Sequence, residues 1–211
     1  MNTSGLETIA GVVLAGGRSQ RMGGRDKTLL ALAGKPMIAH AVERLAPQVA
    51  AVAINANGDP SGFAGFGKPV FGDVVDDFLG PLAGILSALR WAESAAAGYG
   101  HVVTVAADTP FFPDDLVRRF VGDAKTAGTV VMARSQGNPH PVFALWPVSL
   151  AGDLADWLER GETLKVRAWA ERHRLVYSDF PPRPDGVDPF FNVNTPDDLA
   201  TAEAILSGAA A

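Results

Sequence analysis

The 211-residue sequence contains no cysteine, which excludes disulfides and thiolate metal sites and leaves oxygen or imidazole ligands for any ion. That donor set favours Mg²⁺ over zinc. Basic residues are not in excess either: 18 Lys and Arg stand against 23 Asp and Glu, for a net charge of -5. This argues against nucleic acid as partner, because proteins that bind a phosphate backbone present a broad basic face. Apolar runs fall well short of the roughly 20 residues that a membrane-spanning helix needs. The first seventeen residues hold Glu7 and no Lys or Arg, so the positive leading region of a secretory signal is missing. The expectation is a cytoplasmic protein that binds neither membrane nor nucleic acid.

Apolar residues make up 47% of the chain and charged residues 19%, enough for a core and too little charge for a disordered chain. The length fits one α/β domain spanning 1–211. Ile9 to Leu14 is a β-branched run that opens into Ala15-Gly16-Gly17, a buried strand leading to a loop. Helical spacing over Met37 to Leu45 and a second strand over Val49 to Ile54, ending at Asn55, complete a βαβ signature. Pro69 to Phe71 forms a short strand ending at Gly72-Asp73, and Leu82 to Glu93 has a helical period. His101 to Ala106 is an apolar strand suited to the centre of a parallel sheet, ending at Asp108-Thr109-Pro110, with a helix expected from Pro113.

Thr129 to Ala133 and Val142 to Trp146 read as two antiparallel strands joined by the polar segment Arg134 to Pro141. Helical patterns cover Leu150 to Glu159 and Leu164 to Arg172, and Thr195-Pro196-Asp197-Asp198 is a capping box with Pro at the first helical position. The sum is a three-layer α/β/α sandwich around a mostly parallel, Rossmann-like sheet, whose ligands bind beyond the carboxyl ends of the strands. Leu14, Asn55, Asp73 and Asp108 all fall at or just past strand ends.

Arg18, Arg21, Arg25 and Lys27 place four of the 18 basic residues in the glycine-rich stretch after the first strand. The stretch is neither a P-loop nor GxGxxG. It still has what a triphosphate needs, glycines that admit backbone N–H groups and fixed cations, of which Arg21 and Lys27 rank first. On composition alone the same residues also suit a solvated surface loop. Asp108 reads as a metal-holding carboxylate or as a turn cap before Thr109-Pro110; Asp73 and Asn55 read as nucleotide contacts or as turn residues. Asp76 and Asp77 read as solvated.

Leu14-Ala15-Gly16-Gly17, three residues, Arg21-Met22-Gly23, two residues, Asp26-Lys27 resembles the signature of the molybdenum cofactor guanylyltransferases. The resemblance continues through Asn55-Ala56-Asn57, Asp73, Gly80-Pro81-Leu82-Ala83-Gly84, Asp108-Thr109-Pro110, Pro139-His140-Pro141 and Asn192-Val193-Asn194-Thr195-Pro196. It implies a fold of the nucleotide-diphospho-sugar transferase type and transfer of GMP from GTP to molybdopterin with release of pyrophosphate. It further implies nucleotide contacts from Leu14, Ala15, Gly16, Gly17, Lys27, Asn55, Asp73 and Asp108, with Asp108 also holding Mg²⁺ and Lys27, Asp108 and Arg21 acting in catalysis. Gly16 points to guanine, since related cytidylyltransferases resemble the pattern with Ala there. The implied partners are GTP, molybdopterin and, transiently, cofactor-inserting proteins or molybdoenzymes.

The second substrate is expected against Gly80-Pro81-Leu82, Pro139-His140-Pro141 and Asn192-Val193-Asn194. The two Asn amides would share one side of an extended segment and could donate to an anionic or pterin group, although both could simply shape the turn before Thr195, and His140 could be held between its prolines for structural reasons. The alternatives are a relative that uses CTP or another phosphorylated acceptor, and a GTP-binding protein without turnover.

Overall fold

A computed structural model describes residues 9–16, 21–22, 25–75 and 80–208. Gly17, Arg18, Asp76, Asp77 and the last three alanines lie outside it, as do the side chains of Arg21 and Arg25. The elements follow the expected alternation. Strand β1 (Ile9–Leu14) is followed by two short antiparallel pairs, β2 (Arg21–Met22) with β3 (Arg25–Asp26) and β4 (Ala31–Leu32) with β5 (Lys35–Pro36). Then come helix α1 (Met37–Leu45), β6 (Ala51–Asn55), β7 (Val70–Phe71), α2 (Pro81–Ser94), β8 (His101–Ala106) and α3 (Leu116–Asp123). The chain continues through β9 (Thr129–Ser135), β10 (Asn138–Pro147), α4 (Ala151–Glu159), α5 (Val166–Ala170), β11 (Arg174–Phe180) and α6 (Pro196–Ser207).

The main sheet has seven strands in the order β11-β9-β10-β8-β1-β6-β7. Strand β10 pairs antiparallel with both neighbours, and every other pairing is parallel. Side chains alternate across this sheet, as the two-residue period of a strand requires. Ile9, Val13, Val103, Val105 and Val131 pack against Ile38, Val42 and Leu45 of α1 and Leu116, Val117 and Phe120 of α3. Ala10, Val12, Val102, Val130 and Met132 face Leu82, Ile85 and Leu89 of α2 and the layer made by Leu154, Trp157 and Trp169. Three layers result because the parallel strands are apolar on both faces and need helices over each.

Two features differ from the sequence expectation. Strands β9 and β10 run through most of the Arg134 to Pro141 segment, and the turn is confined to Gln136 and Gly137, both at positive φ (48° and 81°). Two consecutive positive φ values make the tight turn whose twist suits a hairpin. The second is β11, which has no local signal and pairs with β9 alone. A bulge between His140 and Ala144 interrupts β10. There Thr104 Oγ1 donates to the Val142 carbonyl at 2.5 Å and accepts from Trp146 Nε1 at 2.9 Å, so the displaced backbone oxygen stays satisfied inside the core.

A third, smaller cluster joins Leu32 and Met37 to Phe111, Val193, Ala202 and Ile205. It seats α6 against the segment that follows the glycine-rich loop. Thr195 caps α6 as its sequence pattern implies, accepting from the Asp198 N–H while the Asp198 carboxylate accepts from the Thr195 N–H. Among the described residues no helix is long and apolar enough to cross a membrane.

Candidate functional site

Leu14 and Asn55 are the last residues of β1 and β6 and stand opposite each other, with Ala106 of β8 on the far side of Leu14. Asp73 and Asp108 follow β7 and β8 by two residues. Three parallel strands and the short β7 therefore release their chains at one edge. There they surround a pocket of about 370 Å³ lined by Leu14, Gly16, Asn55, Asn57, Asp73, Gly80, Pro81, Gly84, Ala106, Asp108, Val142 and Asn192, a volume within the range of small-molecule sites. Ala15 is buried behind it and donates its N–H to the Asn55 carbonyl at 2.8 Å.

Lys27 begins a short 3₁₀ turn (Lys27–Leu29) and is only 4% exposed. Its ammonium donates to Asp108 Oδ2 at 2.7 Å and to Asn194 Oδ1 at 2.8 Å. A buried ammonium needs such partners, and its third N–H is the one these two contacts leave over. The segment bearing Asn194 is tied to the same place, because Val193 N–H donates to the Asp108 carbonyl at 2.9 Å. Asp198 in turn accepts from the Asn194 and Thr195 amides, and these bonds, that from Asn194 first, hold its carboxyl below the usual carboxylate range. Asn194 Oδ1 accepts from Lys27, so the group left to donate on the acceptor side is its Nδ2. Asn192, two residues earlier, does line the pocket.

The opposite wall is an amide and carboxylate cluster. Asn55, 1% exposed, donates through Nδ2 to Asp73 Oδ1 at 3.0 Å and to the Phe71 carbonyl at 3.4 Å. Asn57 donates to Asp73 Oδ2 at 2.7 Å and accepts the Asp73 N–H at 2.8 Å. Helix α2 approaches this cluster with its N-terminus, where Gly80 (φ 66°) caps and Pro81 takes the first turn. Gly84 is required by close approach, since a Cβ there would lie 2.8 Å from Asn55 Oδ1. Gly80 and Pro81, expected beside the acceptor, thus line the same pocket as Leu14, Asn55, Asp73 and Asp108, and Leu82 is buried in the core rather than on any wall.

His140 is placed as the structural alternative has it, away from the pocket lining. It stacks on Phe190 with ring centroids 4.3 Å apart, and Nε2 lies 2.6 Å from Ser135 Oγ. Ser135 donates its one proton toward Asp188, at 2.7 Å to Oδ2, so it accepts from the imidazole. Burial pushes the His140 pKa down, against the opposing pull of Asp188. Val142, rather than the flanking prolines, reaches the pocket. Asn57 and Gly84 belong to this wall although the sequence pattern assigns them no role; the spacing of Asn57 two residues from Asn55 is the available signal.

The arrangement offers a buried cation beside a carboxylate and, across the pocket, a second carboxylate held by two amides. Charge neutralisation and base recognition need groups of this kind. Residues 11–176 match the model of the MobA-like NTP transferase domain. The chain is 47% identical over 198 residues to the molybdenum cofactor guanylyltransferase of Rhizobium meliloti, covering 92% of this chain and 90% of that protein. Among solved structures, the molybdopterin-guanine dinucleotide biosynthesis protein A of Archaeoglobus fulgidus matches with a TM-score of 0.70 at 26% identity, over 94% of this chain and 99% of that one. The 4-diphosphocytidyl-2C-methyl-D-erythritolsynthase of Anaerococcus prevotii shares the fold, with a TM-score of 0.72 at 10% identity over 98% of this chain and all of its own. The chain belongs to the MobA-like NTP transferase family, among the molybdenum cofactor guanylyltransferases.

Proposed function

We propose that the chain, acting as one nucleotidyltransferase domain over 1–211, transfers GMP from GTP to molybdopterin in the molybdenum cofactor and releases pyrophosphate. The names of its relatives support the base and the acceptor. The observation that carries the reading is the pairing of Lys27 with Asp108 at the edge of a pocket whose other wall is Asp73 with its two amides. Leu14, Ala15, Gly16, Gly17, Lys27, Asn55, Asp73 and Asp108 form the nucleotide site. Guanine presents two parallel donors, N1–H and N2–H, which match the two oxygens of the Asp73 carboxylate. Adenine and cytosine place a donor beside an acceptor there.

A terminal phosphate oxygen of the acceptor attacks the α-phosphorus of GTP, a new P–O bond forms, and the bond to the β-phosphate oxygen breaks in line. The nucleophile is largely ionised near neutral pH, because the second pKa of a phosphate monoester is about 6. No general base is needed. Lys27, with Arg21 as second cation, offsets the charge that gathers on the phosphates. Asp108 is the residue to hold Mg²⁺, which when bound neutralises phosphate oxygens and aligns them. The donor set fits: Mg²⁺ takes one or two carboxylates and completes its shell with water and substrate phosphates. Among the described residues there is no cluster of three His, Asp or Glu to form an all-protein cage. Cytoplasmic location and transient contact with cofactor-inserting proteins or molybdoenzymes complete the reading and follow from this place in cofactor assembly.

Thermal shifts with GTP, ATP, CTP and UTP, each with and without Mg²⁺, test the nucleotide side. A ligand at about a hundred times its Kd adds roughly 2.7 kcal/mol. GTP with Mg²⁺ should give the largest shift, and a larger one from CTP would refute guanine. Pyrophosphate release that depends on added molybdopterin tests the acceptor.

A further inference from the structure

We infer that Asn57 is a positioning residue for base selection: it aims the Asp73 carboxylate so that both oxygens meet the paired N–H donors of guanine. The inference rests on the reading of Asp73 as the group that contacts the base. Asn57 and Asp73 are joined twice, by Asn57 Nδ2 to Asp73 Oδ2 at 2.7 Å and by Asp73 N–H to Asn57 Oδ1 at 2.8 Å. Two bonds between the same residues close a ring that fixes the Asp73 backbone and the rotation of its side chain together. Asn55 holds the other carboxylate oxygen at 3.0 Å. Among the described residues each oxygen is thus engaged once and keeps further acceptor capacity for a ligand.

The backbone is shaped around this ring. Gly72 precedes Asp73, and a Cβ there would lie 3.3 Å from Asn57 Oδ1, close enough that the amide would have to give by a few tenths of an ångström. Gly58, at φ 91°, turns the chain away directly after Asn57. Of the side chains of this length, only asparagine both donates and accepts. An aspartate would keep the acceptor but set one carboxylate against another, which is unfavourable for two like charges sharing a site. Unlike Asn55, which is enclosed, Asn57 is half-buried at the pocket wall, so its role is in the orientation of Asp73 rather than in core packing.

ITP provides the test, because hypoxanthine keeps N1–H and lacks the 2-amino group while the triphosphate is unchanged. Calorimetry on the full chain would give the GTP-to-ITP affinity ratio for the natural protein and for Asn57→Ala, Asn57→Asp and Asp73→Asn. The natural protein should prefer GTP, and both Asn57 variants should lose about tenfold of that preference, the loss of one well-aligned bond, while still binding ITP. Asp73→Asn should lose the preference altogether. A merely structural Asn57 would weaken both nucleotides equally and leave the ratio alone. If Asp73→Asn loses the preference but both Asn57 variants keep it, the inference is overturned and the base reading stands. If the natural protein does not prefer GTP, or Asp73→Asn keeps the preference, the reading of Asp73 fails and takes this inference with it. Should Asn57→Ala not fold, Asn57→Asp decides the matter, since it keeps the shape and one of the two bonds.

Discussion

Asn194 Oδ1 lies 2.8 Å from Lys27 Nζ, joining two residues 167 positions apart. The amide oxygen aims the ammonium, so its loss should be felt by whatever the ammonium touches. Asn194→Ala is therefore expected to weaken GTP binding as well as turnover, by roughly ten- to a hundredfold, what one hydrogen bond to a charged group is worth. Calorimetry with GTP checks this. An unchanged GTP affinity with impaired transfer would return Asn194 to the acceptor side.

Lys27 and Asp108 form a pair that is costly to halve. Lys27→Ala should reduce turnover at least a hundredfold, comparable to losing one preorganised donor at about 2.7 to 4 kcal/mol. Asp108→Asn should lower the unfolding midpoint, because it leaves a buried ammonium without its counter-charge. Lys27→Met combined with Asp108→Asn should regain most of that stability and none of the activity. A double variant as unstable as the sum of the single ones would show that the two side chains do not compensate each other in the fold.

Asp108→Asn also bears on the metal. It preserves shape and removes the charge proposed to hold Mg²⁺, so any additional thermal shift from Mg²⁺ in the presence of GTP should vanish along with turnover. Near-normal pyrophosphate release would disprove the metal assignment.

Gly84→Ala should separate stability from binding. Alanine is favoured over glycine inside a helix by about 1 kcal/mol, yet the new methyl would press on Asn55 Oδ1 from 2.8 Å. The expected result is a fold of similar melting temperature with weaker GTP binding, because Asn55 must shift and Asp73 with it. Unchanged affinity would mean that the Asn55 amide moves aside without consequence.

Burial lowers the pKa of His140 and His40 below the ordinary 6.5. The unfolded chain then takes up protons that the fold refuses. The stability these residues contribute is complete above pH 6.5 and is lost as pH falls below it. Denaturant midpoints measured between pH 7 and 5.5 should decline, and His140→Gln should flatten the decline. An identical slope in the variant would exclude His140 as a contributor.

Strands β1 and β8 and helix α1 were legible to the residue, because each is an unbroken apolar or amphipathic run between strong breaks. The Thr195 cap was equally legible, being a pattern only four residues long. Strand β11 was not: Arg174 to Phe180 has its register set by β9, and nothing nearby in sequence marks it. The Gln136-Gly137 turn hid inside a polar stretch that looked like a longer connection. At the site, strand ends foretold that Leu14, Asn55, Asp73 and Asp108 would converge. They could not foretell that Asn194 would reach Lys27, or that Asn57 would grip Asp73, since side-chain partners across a fold are chosen by packing rather than by local pattern.

The docking of Val193 on the Asp108 carbonyl, and of Ala202 and Ile205 on Leu32 and Met37, has a consequence in time. A chain made from its amino end has Lys27 early and Asn194 late. While synthesis is still short of residue 194, Lys27 lacks the Asn194 partner, and the apolar surface of Leu32 and Met37 lacks the cover that Val193, Ala202 and Ile205 give it. The surroundings of Lys27 are thus assembled from both ends of the polypeptide, and they are complete only when residues 193–205 are in place.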